Sequence, residues 1–386
     1  MKPIVTAPLA ATCRCYRTAV RIAQVVPRGE QPWSGVLTVI VHLAASLARR
    51  GHHVDVVQLH EWSPGVYREQ QRLLDEAGVT QVPIRDSRRR GRAAAMTVDE
   101  RGADIVHLHG AFNPSNTAVS RSLRRPYVFS PHSGYDPVSL RRSRGRKLLY
   151  RALFERAMLN RAALLVTLTD AELANARAFG ATGPSEVIPN GVEPAPDTVD
   201  RQAFRRELRI PRGDRLAVFV GRLDVVRKGL DVLVRGIADA PQWQLALVGP
   251  RFRDVDRLES LIEDLGVRER IHLVGERHGR ELQESVAAAD VFTLMSRWEG
   301  LPMALLEALA LGIPAVVSPA VEPLIGIDGA GAGWVASEER LGPLLRGLDE
   351  VEIERRRGAA LGLSRRFDWN AVAGWYESAY ERAIDG

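Results

Sequence analysis

The chain has 386 residues, of which 45% are hydrophobic, so its composition fits two or three packed domains and excludes a disordered chain. No run reaches the roughly 18 consecutive apolar residues that a membrane-spanning helix needs. The net charge of +6 is unevenly divided: residues 1–196 carry 27 Lys and Arg against 16 Asp and Glu (+11), and residues 197–386 carry 26 against 31 (−5).

Residues 1–20 are predicted to be a poorly ordered extension. Their short apolar stretch is followed directly by Arg14 and Arg17, which does not fit a secretory signal. Both cysteines of the chain, Cys13 and Cys15, lie here and cannot build a disulfide framework. We therefore expect a reduced, cytoplasmic protein.

Short apolar strands alternate with helices along the first half. The predicted strands are Arg21–Val26, Val54–Leu59, Asp104–Leu108, Tyr127–Ser130 and Leu164–Leu168. An amphipathic helix over Val36–Arg50 separates the first two strands. Thr169-Asp-Ala-Glu172 has the form of a helix capping box, to which we assign a purely structural role. Nearly continuous apolar strands between helices are typical of a parallel sheet covered on both faces.

The second half repeats this alternation after a segment rich in Pro and charge, Glu193–Asp214, which we predict to be a linker. The predicted strands are Leu216–Val220, Leu245–Val248, Ile271–Val274, Val291–Leu294 and Ala315–Val317. The pattern predicts two doubly wound α/β domains, 21–195 and 196–368, that bind ligands at the carboxyl ends of their strands. The last helix, within 369–386, carries an aromatic stripe typical of packing, and we expect it to pack back onto the first domain.

Two cations follow the strand Leu216–Val220. Gly221 permits a sharp exit from the strand, and Arg222 and Lys228 lie in a loop that enters a helix. Two cations beside a helix N-terminus can bind a diphosphate, although two solvated surface cations are the alternative. The loop matches neither the Walker A nor the G-x-G-x-x-G pattern, which argues against NTP hydrolysis and hydride transfer.

One carboxylate, Glu307, is the only polar residue of the segment Leu301–Leu311, which predicts a helix buried on all sides, with Pro302 as its first residue. An unpaired buried carboxylate is costly, so it must meet a partner. Glu299 lies eight residues earlier in the loop that feeds this helix, and both carboxylates are expected to face one pocket. The alternative is a buried Glu307 satisfied by an arginine or by backbone N–H groups.

Together these segments resemble the retaining glycosyltransferases of family 4, which have the GT-B fold. The resemblance covers about residues 21–384. The motifs that carry it are Gly221-Arg222-Leu with Lys228-Gly229, Glu299-x7-Glu307 with Gly300-Leu-Pro302 inside it, Ile188-Pro-Asn-Gly-Val192, Ser130-Pro-His132 and Arg50-Gly51-His52. It implies two Rossmann-like doubly wound α/β domains facing a central cleft, with the acceptor on the first domain and a nucleotide sugar on the second.

The resemblance also implies roles for the matching residues. Arg222 and Lys228 would hold the diphosphate and stabilise the leaving group, Glu307 would accept hydrogen bonds from the ribose, and Glu299 would bind sugar hydroxyls near the reacting carbon. His132 would approach the sugar from the first domain. The other implied donor-binding residues are Gly35, Gly221, Gly300, Leu301, Pro302 and Met303.

Two positions depart from the family's pattern. The family often has paired glycines near position 35, where this chain has only Gly35, and a glycine after the histidine, where this chain has Ser133. Both departures leave the acceptor side undefined, and a core or surface histidine is the alternative for His132. His107 and His109 are interpreted as structural or cleft-lining residues.

The predicted activity is transfer of a hexose from a UDP- or GDP-sugar to a hydroxyl acceptor, with retention of configuration, in glycan, glycolipid or polysaccharide biosynthesis. The alternatives are a nucleotide-sugar epimerase of the same fold and a catalytically silent nucleotide- or polyanion-binding protein. No aromatic-interleaved basic surface indicates nucleic acid. No metal cofactor is expected, because Asp254-Val-Asp256, the one D-x-D pattern considered, lies in a mixed-charge helix.

The arginines of the first half form three clusters, Arg88–Arg92, Arg121–Arg125 and Arg141–Lys147. The third leads into an apolar stretch, Leu148–Leu159, and such a combination can seat a protein on an anionic membrane. One hypothesis is therefore a peripheral enzyme at the inner membrane face, acting on a lipid-linked or otherwise anionic acceptor. The other is a core helix with a solvated arginine rim.

Overall fold

The computed structural model describes residues 19–31, 34–63, 65–85, 90–137, 140, 144–196 and 198–386. It divides into two compact units. The C-terminal unit is Val192–Asp368, and the N-terminal unit comprises the described residues up to Gly191 together with Trp369–Gly386. The predicted extension, apart from its last two residues, lies outside the described residues, as do Cys13 and Cys15.

The described part of the N-terminal unit contains a seven-stranded sheet whose pairings are all parallel, in the spatial order β3-β2-β1-β4-β5-β6-β7. Its strands are β1 (Arg21–Val26), β2 (His53–Gln58), β3 (Thr80–Pro83), β4 (Ile105–His109), β5 (Tyr127–Ser130), β6 (Leu164–Thr167) and β7 (Ser185–Val187). The connecting helices are α1 (Gly35–Arg49), α2 (Arg68–Glu76), α3 (Arg90–Glu100), α4 (Pro114–Ser122), α5 (Arg144–Tyr150), a π-helical turn (Arg151–Glu155), α6 (Arg156–Arg161) and α7 (Asp170–Phe179).

The C-terminal unit contains a six-stranded parallel sheet in the order β10-β9-β8-β11-β12-β13. Its strands are β8 (Arg215–Val220), β9 (Trp243–Val248), β10 (Ile271–Gly275), β11 (Val291–Leu294), β12 (Ala315–Val317) and β13 (Gly333–Val335). Its helices are α8 (Ala203–Glu207), α9 (Val225–Lys228), α10 (Leu230–Ala238), α11 (Val255–Asp264), α12 (Gly279–Ala287), α13 (Met303–Ala310), α14 (Glu322–Ile325), α15 (Glu338–Gly347) and α16 (Glu350–Ser364), with 3₁₀ turns at Arg268–Arg270 and Arg365–Phe367. The last helix of the chain is α17 (Trp369–Asp385).

Both sheets reverse their strand order at an equivalent place. β1 lies beside β4 in the N-terminal unit, and β8 lies beside β11 in the C-terminal unit. At such a point the connections leave neighbouring strands in opposite directions, which opens a crevice at the carboxyl ends of the strands. The predicted fold class, two Rossmann-like α/β domains, is confirmed.

The strand prediction missed three edge strands, β3, β7 and β13. The exposure of β3 does not alternate cleanly, and β7 and β13 have only three residues each, so none of them leaves an apolar run in the sequence. The predicted linker also contains a short helix, α8, whose Phe204 is buried. Among the described helices, none is long and apolar enough to cross a bilayer.

Helix α17 is anchored to the N-terminal unit by two of the recognised motifs. Arg50 binds the carboxylate of Glu377 through two hydrogen bonds of 2.6 and 2.7 Å, and Nε2 of His52 lies 2.9 Å from the same carboxylate. Burial alone would raise the Glu377 pKa, but these bonds lower it to about 2. A Cβ at Gly191 would meet the Trp369 ring at 2.3 Å, so only glycine fits beside the start of α17.

A second buried carboxyl, Glu155, belongs to the last residue of the π-helical turn of the N-terminal unit. Its Oε1 accepts hydrogen bonds from the N–H of Phe112 (2.9 Å) and the hydroxyl of Tyr135 (2.8 Å). Within the described residues, its buried Oε2 has no hydrogen-bond partner. Burial raises the Glu155 pKa to about 7 despite the two hydrogen bonds, which favours the protonated form.

We expect Glu155→Gln to reduce the loss of stability at alkaline pH. A folded pKa near 7, raised from 4.5, gives stability that is complete below pH 4.5 and is lost as pH rises through 7. The loss amounts to about 3 kcal/mol by pH 8, and the neutral amide does not suffer it. Urea unfolding of both proteins at pH 4.5 and pH 8 measures the difference. Parallel pH dependence in the two proteins would contradict a raised Glu155 pKa.

Candidate functional site

The segments that follow β8 and β11 bring Lys228 and Glu299 together at the strand-order reversal of the C-terminal sheet, and Lys228 is the last residue of α9 and does not lie in the loop as predicted. Nζ of Lys228 donates to Oε1 of Glu299 at 2.5 Å, and Oγ of Ser296 donates to the same oxygen at 2.6 Å. Nη2 of Arg227 lies 3.5 Å from Oε2 of Glu299, whose side chain is only 5% exposed. Glu299 is therefore held between two cations and a hydroxyl.

Backbone packing explains why these two segments approach so closely. Gly229 has φ +64°, and a Cβ there would lie 2.1 Å from the carbonyl oxygen of Met295, so a side chain cannot be accommodated. The N–H of Arg297 donates to the carbonyl of Arg227 at 2.9 Å, and its guanidinium binds both oxygens of Asp231. These contacts hold the loop after β11 against the start of α10.

The sequence interpretation missed Arg227, Asp231, Ser296 and Arg297. Arg227 carried a weak signal, since it precedes Lys228 in a predicted cationic loop. The ion pair between Arg297 and Asp231 joins residues 66 positions apart, and nothing in the local sequence of either indicates it.

Three cations converge at the end of β8. Burial lowers the Lys228 pKa, the ion pair with Glu299 opposes this shift, and the charges of Arg227 and Arg222 lower the pKa further. Arg222 is exposed, with its guanidinium 4.8 Å from the ring centre of Phe252, and no described carboxylate forms an ion pair with it. A Cβ at Gly221 would lie 3.9 Å from Cε of Lys228. Lys228 and Arg227 share one carboxylate, Glu299, and Arg222 adds a third positive charge, which favours an anionic ligand.

Helix α13 places Glu307 differently from the prediction. Leu305, Leu306 and residues 308–310 are buried, whereas Met303, Ala304 and Glu307 form a half-exposed face. The expectation of a helix buried on all sides is therefore wrong. Since Glu307 borders solvent, hydration lowers the cost of its charge, and burial alone does not demand a partner.

The start of α13 is formed by the Gly300-Leu-Pro-Met303 segment. Pro302 is the N-cap, with ψ +106°, and not the first helical residue as predicted. Leu301 and Pro302 are buried, while Gly300 and Met303 are half-exposed. The first N–H groups of a helix have no intrahelical acceptor, so they can bind a polar or anionic ligand here.

In the N-terminal unit, His132 lies just after β5 in a left-handed turn. Its φ is +48°, and that of Ser133 is +61°, so Ser133 keeps the conformation that favours glycine. The carboxylate of Glu172 accepts from the N–H of Ser133 and, at 2.7 Å, from that of Leu168. Thr169 caps α7 as predicted, but Glu172 also holds the His132 turn, so its role is not confined to helix capping.

Gly35 begins α1, beside the loop that follows β1. No described heavy atom would lie within 4 Å of a Cβ added there, so its surroundings are open. Ser34 accepts a hydrogen bond from the N–H of Val36 and caps the helix. His107 and His109, by contrast, are fully buried in β4.

The D-x-D pattern lies on a solvated surface. The carboxylate of Asp256 is 98% exposed and lies 3.2 Å from Arg251, and Asp254 precedes α11 with φ +60°. Across the described ranges, no group of three or more His, Cys, Asp or Glu residues is placed to hold a metal ion.

Comparisons with known proteins cover both units. Residues 33–195 match the family model described as "Glycosyltransferase Family 4", and residues 200–360 match the model described as "Glycosyl transferases group 1". The chain is 25% identical to the GDP-mannose:cellobiosyl-diphosphopolyprenol alpha-mannosyltransferase of Xanthomonas campestris over 382 residues, which cover 94% of this chain and 97% of the relative. It is also 25% identical to the lipopolysaccharide glucosyltransferase WaaG of Escherichia coli K12, over 82% of this chain and 86% of the relative.

Solved structures share this architecture. The crystal structure of Anabaena Alr3699/HepE in complex with UDP and glucose has a TM-score of 0.75 at 18% sequence identity, with 94% of this chain and 99% of that chain covered. At this identity the similarity concerns the fold.

Proposed function

Because the chain belongs to the family 4 glycosyltransferases of the GT-B type, we propose that it transfers a hexose from a nucleotide diphosphate sugar to a hydroxyl group with retention of configuration. The bond between the anomeric carbon and the diphosphate breaks, and its electron pair stays on a phosphate oxygen. A new bond forms between the anomeric carbon and the acceptor oxygen, whose proton passes to the leaving phosphate oxygen or to water. The donor is a UDP- or GDP-sugar.

The cationic cluster at the end of β8 is the observation that carries this proposal. Lys228 and Arg222 face the charge that develops on the leaving diphosphate, and fixed charges of this kind stabilise a transition state without a metal ion. In the structure, Glu299 is the anion that neutralises Lys228. The diphosphate takes over this role when it binds, which leaves Glu299 able to accept hydrogen bonds from the sugar.

The remaining assignments are part of this proposal and are compatible with the positions of the residues. Glu307 lies on the half-exposed face of α13, where a carboxylate can accept hydrogen bonds from ribose hydroxyls. Gly300, Leu301 and Met303 bring backbone groups to the start of that helix. His132 is the substrate-contacting residue of the N-terminal unit.

Two measurements test the proposal. Thermal-shift screening against nucleotide diphosphates identifies the base, since a ligand at 100 times its Kd adds roughly 2.7 kcal/mol of stability. The selected nucleotide sugar is then incubated with hydroxyl acceptors in excess EDTA, and NMR reads the configuration of the product. Transfer with retention is expected. Inversion of configuration would contradict the proposed retention. Activity that EDTA abolishes and Mg²⁺ or Mn²⁺ restores would contradict a metal-independent reaction. Conversion of the donor without an acceptor would indicate an epimerase.

We further propose that the acceptor is lipid-linked or otherwise anionic and is met at a membrane surface. Leu148, Leu149 and Leu153 are 49%, 63% and 53% exposed around the junction of α5 and the π-helical turn. The alternative, a core helix over Leu148–Leu159, is therefore wrong for the first half of this segment. In the second half, Met158 and Leu159 are buried.

Cations flank these exposed leucines. Arg146 is exposed, Lys147 lies 5.0 Å from the ring centre of Phe112, and Arg121 lies 4.8 Å from that of Phe154. Apolar side chains beside cations bind anionic bilayers, and each cation near the surface adds about 1 kcal/mol. Two predicted arginine clusters lie partly outside the described residues, at 88–89 and 141–142.

Co-sedimentation with anionic vesicles is expected at low salt and is expected to weaken at high salt. The double variant Leu149→Glu/Leu153→Glu should lose binding without loss of folding, since both side chains are exposed. Val351→Glu, which replaces a 77% exposed side chain on α16, is the matched control and should bind as the unaltered protein does. Absence of binding at low salt would remove the membrane proposal and leave a soluble acceptor.

A further inference from the structure

Six side chains of the N-terminal unit form one continuous chain of hydrogen bonds, which runs from the partly exposed His132 into the core. In order they are His132, His109, Gln24, Tyr380, His107 and Ser130. All except His132 are buried. They come from β1, β4, β5, the turn after β5, and α17.

Each link of this chain has a short donor–acceptor distance. Nε2 of His132 lies 3.0 Å from Nδ1 of His109, and Nε2 of His109 lies 2.8 Å from Oε1 of Gln24. Nε2 of Gln24 donates to the hydroxyl of Tyr380 at 2.9 Å. That hydroxyl lies 2.8 Å from Nδ1 of His107, whose Nε2 lies 2.8 Å from Oγ of Ser130.

The orientation of Gln24 decides the direction of the whole chain. Its amide oxygen can only accept, so His109 must carry its proton on Nε2 and accept at Nδ1. His132 must then donate from its own Nε2. On the other side, Tyr380 accepts from Gln24 and donates to Nδ1 of His107. All three imidazoles are therefore Nε2–H tautomers, and Nδ1 of His132 keeps its lone pair.

Burial supports neutral imidazoles along this chain. Burial lowers the pKa of His132 to about 4, and it lowers the pKa values of His107 and His109 well below their usual range. A charged imidazole would also break the alternation of donors and acceptors along the hydrogen-bond chain, because it donates from both nitrogens. Each imidazole therefore holds one proton at neutral pH.

We propose that Gln24, His107, His109 and Tyr380 are positioning residues that hold His132 in its neutral Nε2–H tautomer, with Nδ1 presented as a hydrogen-bond acceptor. Among the described residues, nothing hydrogen-bonds to this Nδ1. The acceptor suits a hydroxyl group of the substrate, an assignment that rests on the proposed function. The tautomer itself does not depend on that function.

Helix α17, the last helix of the polypeptide, supplies one link of this hydrogen-bond chain. Tyr380 is 356 positions from Gln24 and 273 from His107, and its hydroxyl serves both. Without it, the buried amide of Gln24 loses an acceptor and His107 loses a donor, so the two halves of the hydrogen-bond chain are no longer coupled. A turned amide reverses the chain and moves the proton of His132 to Nδ1.

The first test measures the tautomer in the unaltered protein. Long-range ¹H–¹⁵N NMR with ¹⁵N-labelled histidine at pH 7 distinguishes protonated from unprotonated ring nitrogens, and the spectrum of His132→Asn identifies the signal. We expect His132 to be protonated at Nε2 alone. A proton on Nδ1, an averaged mixture or an imidazolium would overturn the proposal, whether or not the protein transfers sugar.

The second test uses Tyr380→Phe, which removes only the linking hydroxyl. We expect a tautomer mixture at His132 and a kcat about tenfold lower, with an unchanged Kd for the nucleotide diphosphate. The control is Tyr127→Phe, which also removes a buried hydroxyl of the N-terminal unit. The Tyr127 hydroxyl donates to the carbonyl of Met158 and takes no part in the hydrogen-bond chain. It should leave both the tautomer and kcat unaltered. Equal kcat in the two variants, or an unaltered tautomer in Tyr380→Phe, would contradict the positioning role.

Discussion

Replacement of Lys228 by Ala is expected to lower turnover by on the order of a hundredfold or more. Removal of one oriented charge that stabilises a developing anion typically has an effect of this size. Arg222→Ala is expected to act in the same direction. The fold should survive, because Arg222 is exposed, and because Glu299 keeps its contacts with Ser296 and Arg227 when Lys228 is lost.

Steady-state kinetics with the nucleotide sugar provide the measurement. Arg257→Ala is the matched control, since Arg257 is an 82% exposed arginine of the same unit. Its turnover should equal that of the unaltered protein. If both Lys228→Ala and Arg222→Ala retained near-normal turnover, the assignment of these two cations to the leaving group would be wrong.

Glu307→Gln is expected to weaken nucleotide binding, and Glu299→Gln is expected to lower kcat. Glu307→Gln keeps the size of the side chain but loses charge-assisted hydrogen bonds to the ribose. Such bonds contribute about 1.5–3 kcal/mol, so the Kd for the nucleotide should rise ten- to a hundredfold. Glu299→Gln should mainly lower kcat. It also removes the charge that neutralises Lys228, so nucleotide affinity should be at least maintained.

Isothermal titration with the free nucleotide diphosphate separates these effects from the rate of transfer. Equal Kd values for Glu307→Gln and the unaltered protein would contradict the ribose role. A nucleotide Kd that rises in Glu299→Gln would mean that the Lys228–Glu299 pair forms part of the nucleotide site and is not exchanged for the diphosphate.

The predicted strands of the interior were readily found from the sequence. Tyr127–Ser130, Val291–Leu294 and Ala315–Val317 have the same bounds in the structure as in the prediction. A strand buried on both faces must be apolar at nearly every position, and this leaves a local run that the sequence displays. Edge strands such as β3 are not under this constraint and left no such run.

The prediction for α13 shows where a local pattern misleads. Apolar residues dominate its sequence, yet Met303, Ala304 and Glu307 share a half-exposed face. Helical spacing identifies which residues lie on one face, but it does not tell which face another element covers. The sequence therefore predicted correctly that Glu307 lies in a helix but assigned it the wrong environment.

The sequence by itself determined the fold class, the two cations Arg222 and Lys228, and the candidate carboxylates, because these depend on short-range patterns and motif spacing. The tertiary structure alone decided that Lys228 pairs with Glu299, that Arg297 ties their loops together and that Tyr380 reaches Gln24 and His107. Each of these contacts joins residues that are tens to hundreds of positions apart. The strand order of the parallel sheets and the packing of α17 against the N-terminal unit bring them together, and no local sequence pattern records this arrangement.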